Sequence, residues 1–303
     1  MVKKNSSIEA EMRKTQMEQR EKDITERLHH IKNKILIMSG KGGVGKSSVA
    51  AYLSVAMVKR GYKVGLMDVD LHGPSIPRIL GLKGDIRPVG NEGKMLPVRY
   101  LPNMEVISIE SLLGADKDSA VIWRGPLKGG VIRQFIADIE WMDLDYMIID
   151  SPPGTGDEPL TVAQTISDAK ALIVTTPQEI SLADVRKSIH FCRQVNMEIL
   201  GLVENMSGLT CPHCGKIIDI FKTHGGQLTA EKEHLRLLAT LPFEPEVVND
   251  GDAGDISLLD NDSLSIAREF NKMVDEIVKL TGCKPSSQVT PEREIGLHVG
   301  GKG

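Results

Sequence analysis

Gly40-Lys41-Gly42-Gly43-Val44-Gly45-Lys46-Ser47 is the stretch on which the fold of this chain turns. It has the spacing G-x-x-x-x-G-K-[ST] and lies between a short apolar run, Lys34 to Met38, and a helical pattern from Ser47 to Arg60. A glycine-rich turn from strand to helix lets successive backbone N–H groups converge on one anion, and the helix start adds its positive dipole end. In such a loop Lys46 meets the β and γ phosphates of a nucleotide, and the Ser47 hydroxyl meets Mg2+. The candidate nucleotide contacts are therefore Gly40, Lys41, Gly42, Gly43, Val44, Gly45, Lys46 and Ser47, with Ser48 beside them. Lys41 is unusual, because the motif does not require a second lysine among the phosphates.

Further apolar runs occur at Lys63 to Met67, Glu105 to Ile109, Tyr146 to Ile149, Ala171 to Thr175, Ile199 to Val203 and Leu237 to Leu241. Their spacing predicts an α/β fold with a mostly parallel β-sheet flanked by helices on both faces. Ser263 to Thr281, with Ile266, Phe270, Met273, Ile277 and Leu280 on one face, predicts a final core-packing helix closed by Gly282. After the second strand, Asp68 and Asp70 stand at i and i+2. On a strand end both would point toward the carboxyl edge, one to hold the metal's water shell and the other to orient the attacking water. The run Tyr146 to Ile149 ends in Asp150, a further candidate Mg2+ ligand. Ser151-Pro152-Pro153-Gly154-Thr155-Gly156-Asp157 follows as a preset turn that could sense a γ phosphate.

The chain has 303 residues, 37 Lys+Arg against 41 Asp+Glu and a formal net charge of -4. That balance gives no electrostatic case for nucleic acid or an anionic membrane as partner. Residues 1–33 form a charged leader with Ile24, Leu28, Ile31 and Ile35 at helical spacing, and lack the apolar core of a signal peptide. No run approaches the length of a membrane span, so a cytoplasmic protein is expected. The ATPase domain is expected over 34–282, and residues 283–303, with Pro285, Pro291 and a Gly-rich end, as a mobile tail.

Four cysteines in a chain of this length make no disulfide framework. Cys211-Pro212-His213-Cys214-Gly215 is a C-x-x-C knuckle, a half-site whose two thiolates need two more ligands to complete tetrahedral Zn2+ or a 4Fe–4S cube. Cys192 and Cys283 are isolated, and His213 or His224 could ligate without forming a strong pattern.

The loop resembles that of the signature-lysine, or deviant Walker A, P-loop ATPases, the class of MinD, ParA and the nitrogenase iron protein. More narrowly, the chain resembles the Mrp/ApbC-type ATPases that carry iron-sulfur clusters. The resemblance runs through Asp70-Leu71-His72-Gly73-Pro74-Ser75-Ile76-Pro77, Trp123-Arg124-Gly125-Pro126, Asp145 to Asp157, Thr175-Thr176-Pro177-Gln178-Glu179, Asp184-Val185-Arg186-Lys187 and Glu204-Asn205-Met206-Ser207. It covers roughly Lys34 to Leu280. It implies a P-loop NTPase fold, ATP hydrolysis with Mg2+ held through Ser47, Asp68 and Asp150, and catalytic roles for Lys41, Lys46 and Asp70. Lys41 would reach the partner subunit's nucleotide, and Asn205 would contact adenine.

The resemblance also implies one 4Fe–4S cluster held jointly by Cys211 and Cys214 of two subunits across a homodimer axis. An assembly scaffold would donate the cluster, and apoproteins would receive it. The leader has no Cys, so no second cluster is expected, and residues 220–226 match the family's Gly-rich stretch poorly. Two rivals share the loop: a MinD/ParA-like positioning ATPase, and a dimeric ATPase chaperone bridged by zinc at the same cysteines.

Overall fold

A computed structural model describes residues 15, 18–70, 73–82, 87–89, 94–108, 125–211, 214, 216–218, 224–261 and 264–286. Its centre is an eight-stranded sheet in the order β12-β9-β8-β1-β7-β2-β6-β5. In chain order these are β1 (Ile31–Ser39), β2 (Val64–Asp68), β5 (Val98–Leu101), β6 (Met104–Ser108), β7 (Leu144–Asp150), β8 (Lys170–Thr175), β9 (Ile199–Glu204) and β12 (Leu237–Thr240). Every neighbouring pair is parallel except β5 with β6. Two small hairpins, β3 (Arg87–Val89) with β4 (Lys94–Leu96) and β10 (Leu209–Thr210) with β11 (Ile217–Ile218), stand outside the sheet.

Each strand that the sequence predicts is present. The strands read as continuous apolar runs because a parallel sheet is covered on both faces. Along β1, Ile35 and Ile37 join one core while Leu36 and Met38 join the other. The first core lies under α2 (Lys46–Lys59) and α9 (Ser265–Thr281). The second lies under α4 (Gly125–Asp138), α5 (Asp157–Thr165) and α6 (Glu179–Gln194). The leader contributes a helix, α1 (18–29), whose Ile24 is buried in the second core. β1 begins at Ile31, so the strand extends into the expected leader. The shorter helices are α3 (Ile76–Ile79), α7 (Gly225–Glu233) and α8 (Pro245–Ala253). α9 buries Ile266, Phe270, Met273, Val274 and Ile277, and Gly282 closes it in the left-handed conformation at φ 62°.

The expected tail does not begin free. Asp145, at the amino edge of the sheet, accepts from Lys32 Nζ at 2.7 Å, from the Lys63 backbone N–H at 3.0 Å and from Ser286 Oγ at 2.6 Å. Cys283–Ser286 is thereby fastened beneath the sheet, which corrects the mobile tail over those residues; residues 287–303 lie outside the described ones, as do residues 1–14 of the leader. Among the described residues no helix is long and apolar enough to cross a membrane.

Candidate nucleotide site and cysteine pair

The carboxyl edge of the sheet brings together Ser39 on β1, Asp68 on β2, Asp150 on β7, Thr175 on β8 and Glu204 on β9, all buried. This is the edge at which open α/β sheets bind ligands. From Ser39 the chain turns through the glycine loop into α2. Gly45 stands at φ 79°, and a Cβ there would collide with the Asn205 side-chain amide, so the position needs glycine twice over. No side chain caps α2 and no acidic residue sits in its first turn, which leaves its N–H groups to an anion.

Lys46 is buried, and its Nζ donates to Asp150 Oδ1 at 2.5 Å. The Ser47 hydroxyl oxygen lies 3.4 Å from the same Nζ, and its presence also helps to hold the Asp150 carboxyl down. Asp68 and Asp150 are direct partners in the β2–β7 register, so their carboxylates stand side by side. Ser108 Oγ donates to Asp68 Oδ2 at 3.2 Å. Burial first, and then the neighbouring Asp150 charge, hold the Asp68 carboxyl well above the usual carboxylate range. Burial also raises Asp150, against the pull of Lys46.

The expected Asp68–Asp70 arrangement differs. β2 ends at Asp68, and the Asp70 backbone N–H turns back to Asp68 Oδ1 at 3.1 Å. Asp70 thus leaves the strand and is half-exposed, while its own Oδ1 accepts from the Gly73 N–H at 3.3 Å. The turn consumes the alternation that a continued strand would have kept. Leu71 and His72 lie outside the described residues.

These side chains fit a divalent cation. Asp150 Oδ2 is buried without a hydrogen-bond partner, and two raised carboxylates with a serine hydroxyl make an all-oxygen donor set. Ser47, Asp68 and Asp150 are the groups that would hold Mg2+, directly or through water.

Beside the loop opens a cavity of about 680 Å³, within the range of small-molecule sites. Gly45, Ser48, Asn205 and Met206 line it toward the loop, and Pro242, Phe243 and Glu244 form another wall. Asn205 Nδ2 donates to the Val44 carbonyl at 2.9 Å, which fixes the amide between loop and cavity. Lys41 is half-buried, with Nζ 3.4 Å from Gln178 Oε1. Gly154, at φ 91°, donates its N–H to Ser39 O at 2.7 Å and seats the Pro-Pro-Gly turn against β1.

The cysteines divide by burial. Cys192 is buried against Met38, and desolvation pushes its thiol up to about 12; Cys283 is buried and raised for the same reason. Cys211 is half-exposed and Cys214 exposed. Antiparallel β10 and β11 carry them, and the Cys211 N–H donates to the Lys216 carbonyl at 2.9 Å. Pro212, His213, Gly215 and residues 219–223 lie outside the described residues. Among the described residues no group of three or more His, Cys, Asp and Glu gathers as a metal site.

Sequence reasoning gave no role to Ser108 or Phe243, and met Glu204 only within the run Glu204-Asn205-Met206-Ser207. Ser108 and Glu204 end β6 and β9 and Phe243 follows β12, a placement at one edge legible only once the strand order is known.

A family model described as ParA, NUBPL iron-transfer P-loop NTPase, matches residues 30–278. An iron-sulfur cluster carrier protein of Methanocaldococcus jannaschii is 44% identical over 263 residues, covering 86% of this chain and 89% of that protein. A cytosolic Fe-S cluster assembly factor NUBP2 homolog of Dictyostelium discoideum is 47% identical over 222 residues, 72% of this chain and 83% of its own length. A nucleotide-binding protein of Archaeoglobus fulgidus, solved in complex with ADP, superposes with TM-score 0.71 at 38% identity over 82% of this chain and 96% of that one. The cell division ATPase MinD of Pyrococcus furiosus superposes with TM-score 0.59 at 26% identity, covering 82% and 99%.

Proposed function

This chain belongs to the NUBPL iron-transfer P-loop NTPase family, and from that premise we propose that it is an ATP-hydrolysing, homodimeric iron-sulfur cluster carrier. Its cargo is a 4Fe–4S cluster held by Cys211 and Cys214 of both subunits, received from an assembly scaffold and passed to apoproteins in the cytoplasm. The observation that carries the reading is the accessible cysteine pair itself. Two thiols make half a ligand set, and a second copy of the same chain supplies the other half about a two-fold axis. Ile218 and Leu228, large hydrophobic side chains exposed on β11 and α7, follow the pair in sequence and suit a covered interface.

The nucleotide chemistry follows from charge. Lys46 leaves its pairing with Asp150 for the β and γ phosphates. That exchange frees the Asp150 carboxylate, which with Asp68 and Ser47 would hold Mg2+; the cation, when bound, offsets charge on the phosphate oxygens. Asp70, half-exposed beyond the strand end, orients the attacking water. Lys41 supplies a cation to the partner's transferring phosphoryl group when two subunits close, and Asn205 meets the adenine at the cavity mouth.

The test is metal content by variant. After anaerobic reconstitution with iron and sulfide, Cys211→Ala and Cys214→Ala should each lose the iron absorption band and keep ATP binding. Cys192→Ala and Cys283→Ala should hold the wild-type iron. A Cys211/Cys214 double variant with a full iron complement would end the carrier reading.

A further inference from the structure

Glu204 ends β9 one residue before Asn205, and its buried carboxylate contacts neither a lysine nor an arginine in any hydrogen bond or ion pair found among the described residues. What it holds is the chain that carries the cysteines. Oε1 accepts from Ser207 Oγ at 2.6 Å, where that chain leaves the sheet, and Oε2 accepts a short hydrogen bond from the Gly226 N–H, where it returns. One side chain thus clamps both limbs of the segment from Asn205 to Gly226, with Cys211 and Cys214 between them. Gly226 lies in the first turn of α7, where a carboxylate also meets the positive end of the helix. A Cβ at Gly226 would press on the Glu204 side chain, so the approach is close.

The departure limb is also joined to the nucleotide cavity. The Ser207 N–H donates to the Leu241 carbonyl at 2.9 Å, and the Phe243 N–H donates to the Gly208 carbonyl at 2.8 Å. Phe243 lines the cavity, and Asn205 is bonded to the phosphate loop through Val44. Both limbs also contain left-handed residues: Met206 at φ 58° and Gly208 at φ 80° on departure, His224 at φ 67° on return. Non-glycine residues held there cost of order 1 kcal/mol or more, so the contacts around both limbs must hold them in place.

We propose that Glu204 is the positioning residue through which the nucleotide state of the loop sets the pose of the Cys211–Cys214 hairpin. The inference rests on the carrier reading for the purpose of the movement. The movement itself does not depend on which metal the cysteines take. Asn205, drawn between the loop and a bound base, shifts the end of β9, and the Glu204 clamp carries that shift to both limbs at once.

The informative variant is Glu204→Gln. It keeps the volume and can still accept from Ser207, but turns an amide NH2 or a weaker acceptor toward the Gly226 N–H, so the return limb is released. The probe is the alkylation rate of Cys211 and Cys214 by a maleimide, in reduced, metal-free protein with and without MgATP. Wild type should change its rate severalfold on adding MgATP. Glu204→Gln should still bind ATP, with an alkylation ratio within about twofold of one. Ser207→Ala, which removes the departure-limb bond without altering a buried charge, should give an intermediate ratio. A wild-type ratio in both variants, or no response to MgATP in wild type, would overturn the assignment. Because no metal is present, a protein that shows the response and then fails to take up iron loses the carrier reading and keeps this one.

Discussion

Lys46 and Asp150 show how a single contact can serve two states. Paired with each other, they neutralise a buried carboxylate that would otherwise be left beside Asp68. In the proposed mechanism a nucleotide parts them, so that the lysine meets phosphate and the carboxylate is free for the cation. Lys41 is different in kind, since its proposed contact is made across subunits. Lys41→Ala should therefore keep ATP affinity within about tenfold while hydrolysis falls by about 10³, the scale of a cation supplied in trans. Equilibrium nucleotide binding and steady-state phosphate release measure the two, and unchanged release would remove Lys41 from the chemistry. Asp70→Ala should bind ATP and accumulate a closed dimer, because it deletes the water-orienting group and spares the phosphate cradle. Turnover equal to wild type would remove Asp70 likewise. The glycine loop, Lys46 and the ends of β2 and β7 were legible in the sequence, since spacing and apolar runs specify them. That Asp68 faces Asp150, with Asp70 set beyond the strand end, was not, because it depends on strand order and on a turn after Asp68.

At the scale of elements, α9 and the Asp145 clasp hold residues 265–286 against the sheet. α9 alternates as an amphipathic helix should, and its boundaries and its Gly282 stop were readable from period and composition. Ile277 is fully buried on its inner face, so Ile277→Ala should cost about 2–5 kcal/mol in denaturant unfolding; a loss under about 0.5 kcal/mol would mean that α9 is not core. Asp145 was invisible as a clasp, because its partners Lys32, Lys63 and Ser286 come from three distant parts of the chain. Burial would push its carboxyl up, but the bonds from Lys32, Lys63 and Ser286 outweigh it and lower the folded value. A lowered carboxylate contributes stability that is present above its unfolded value, near pH 4, and is lost as the pH falls through the lower folded value. Asp145→Asn should therefore be less stable than wild type at pH 7, with the gap narrowing steadily below about pH 4. A gap that stays constant down to pH 2 would show that the charge is not what the clasp uses. The hairpins β3–β4 and β10–β11 escaped sequence reading for a simpler reason. Strands of two or three residues carry no period.

Across the whole molecule, the cavity beside the glycine loop and the cysteine pair lie in separate structures joined through residues 205–208. One chain brings its loop, carboxylates and cavity to one sheet edge. On the proposed reading it has only half of a cluster site, and both the crossing lysine and the missing thiolates call for the same second chain, so assembly, hydrolysis and cargo are expected to depend on one interface. Mass spectrometry of the intact, anaerobically reconstituted protein under non-denaturing conditions reads all three components of that claim in one mass. The predicted result is two chains with a single 4Fe–4S cluster, about four irons per dimer, replaced by metal-free single chains when Cys211 and Cys214 are both changed to Ala. Single chains that each retain a 4Fe–4S cluster, or dimers carrying about one zinc per chain and no iron, would contradict it.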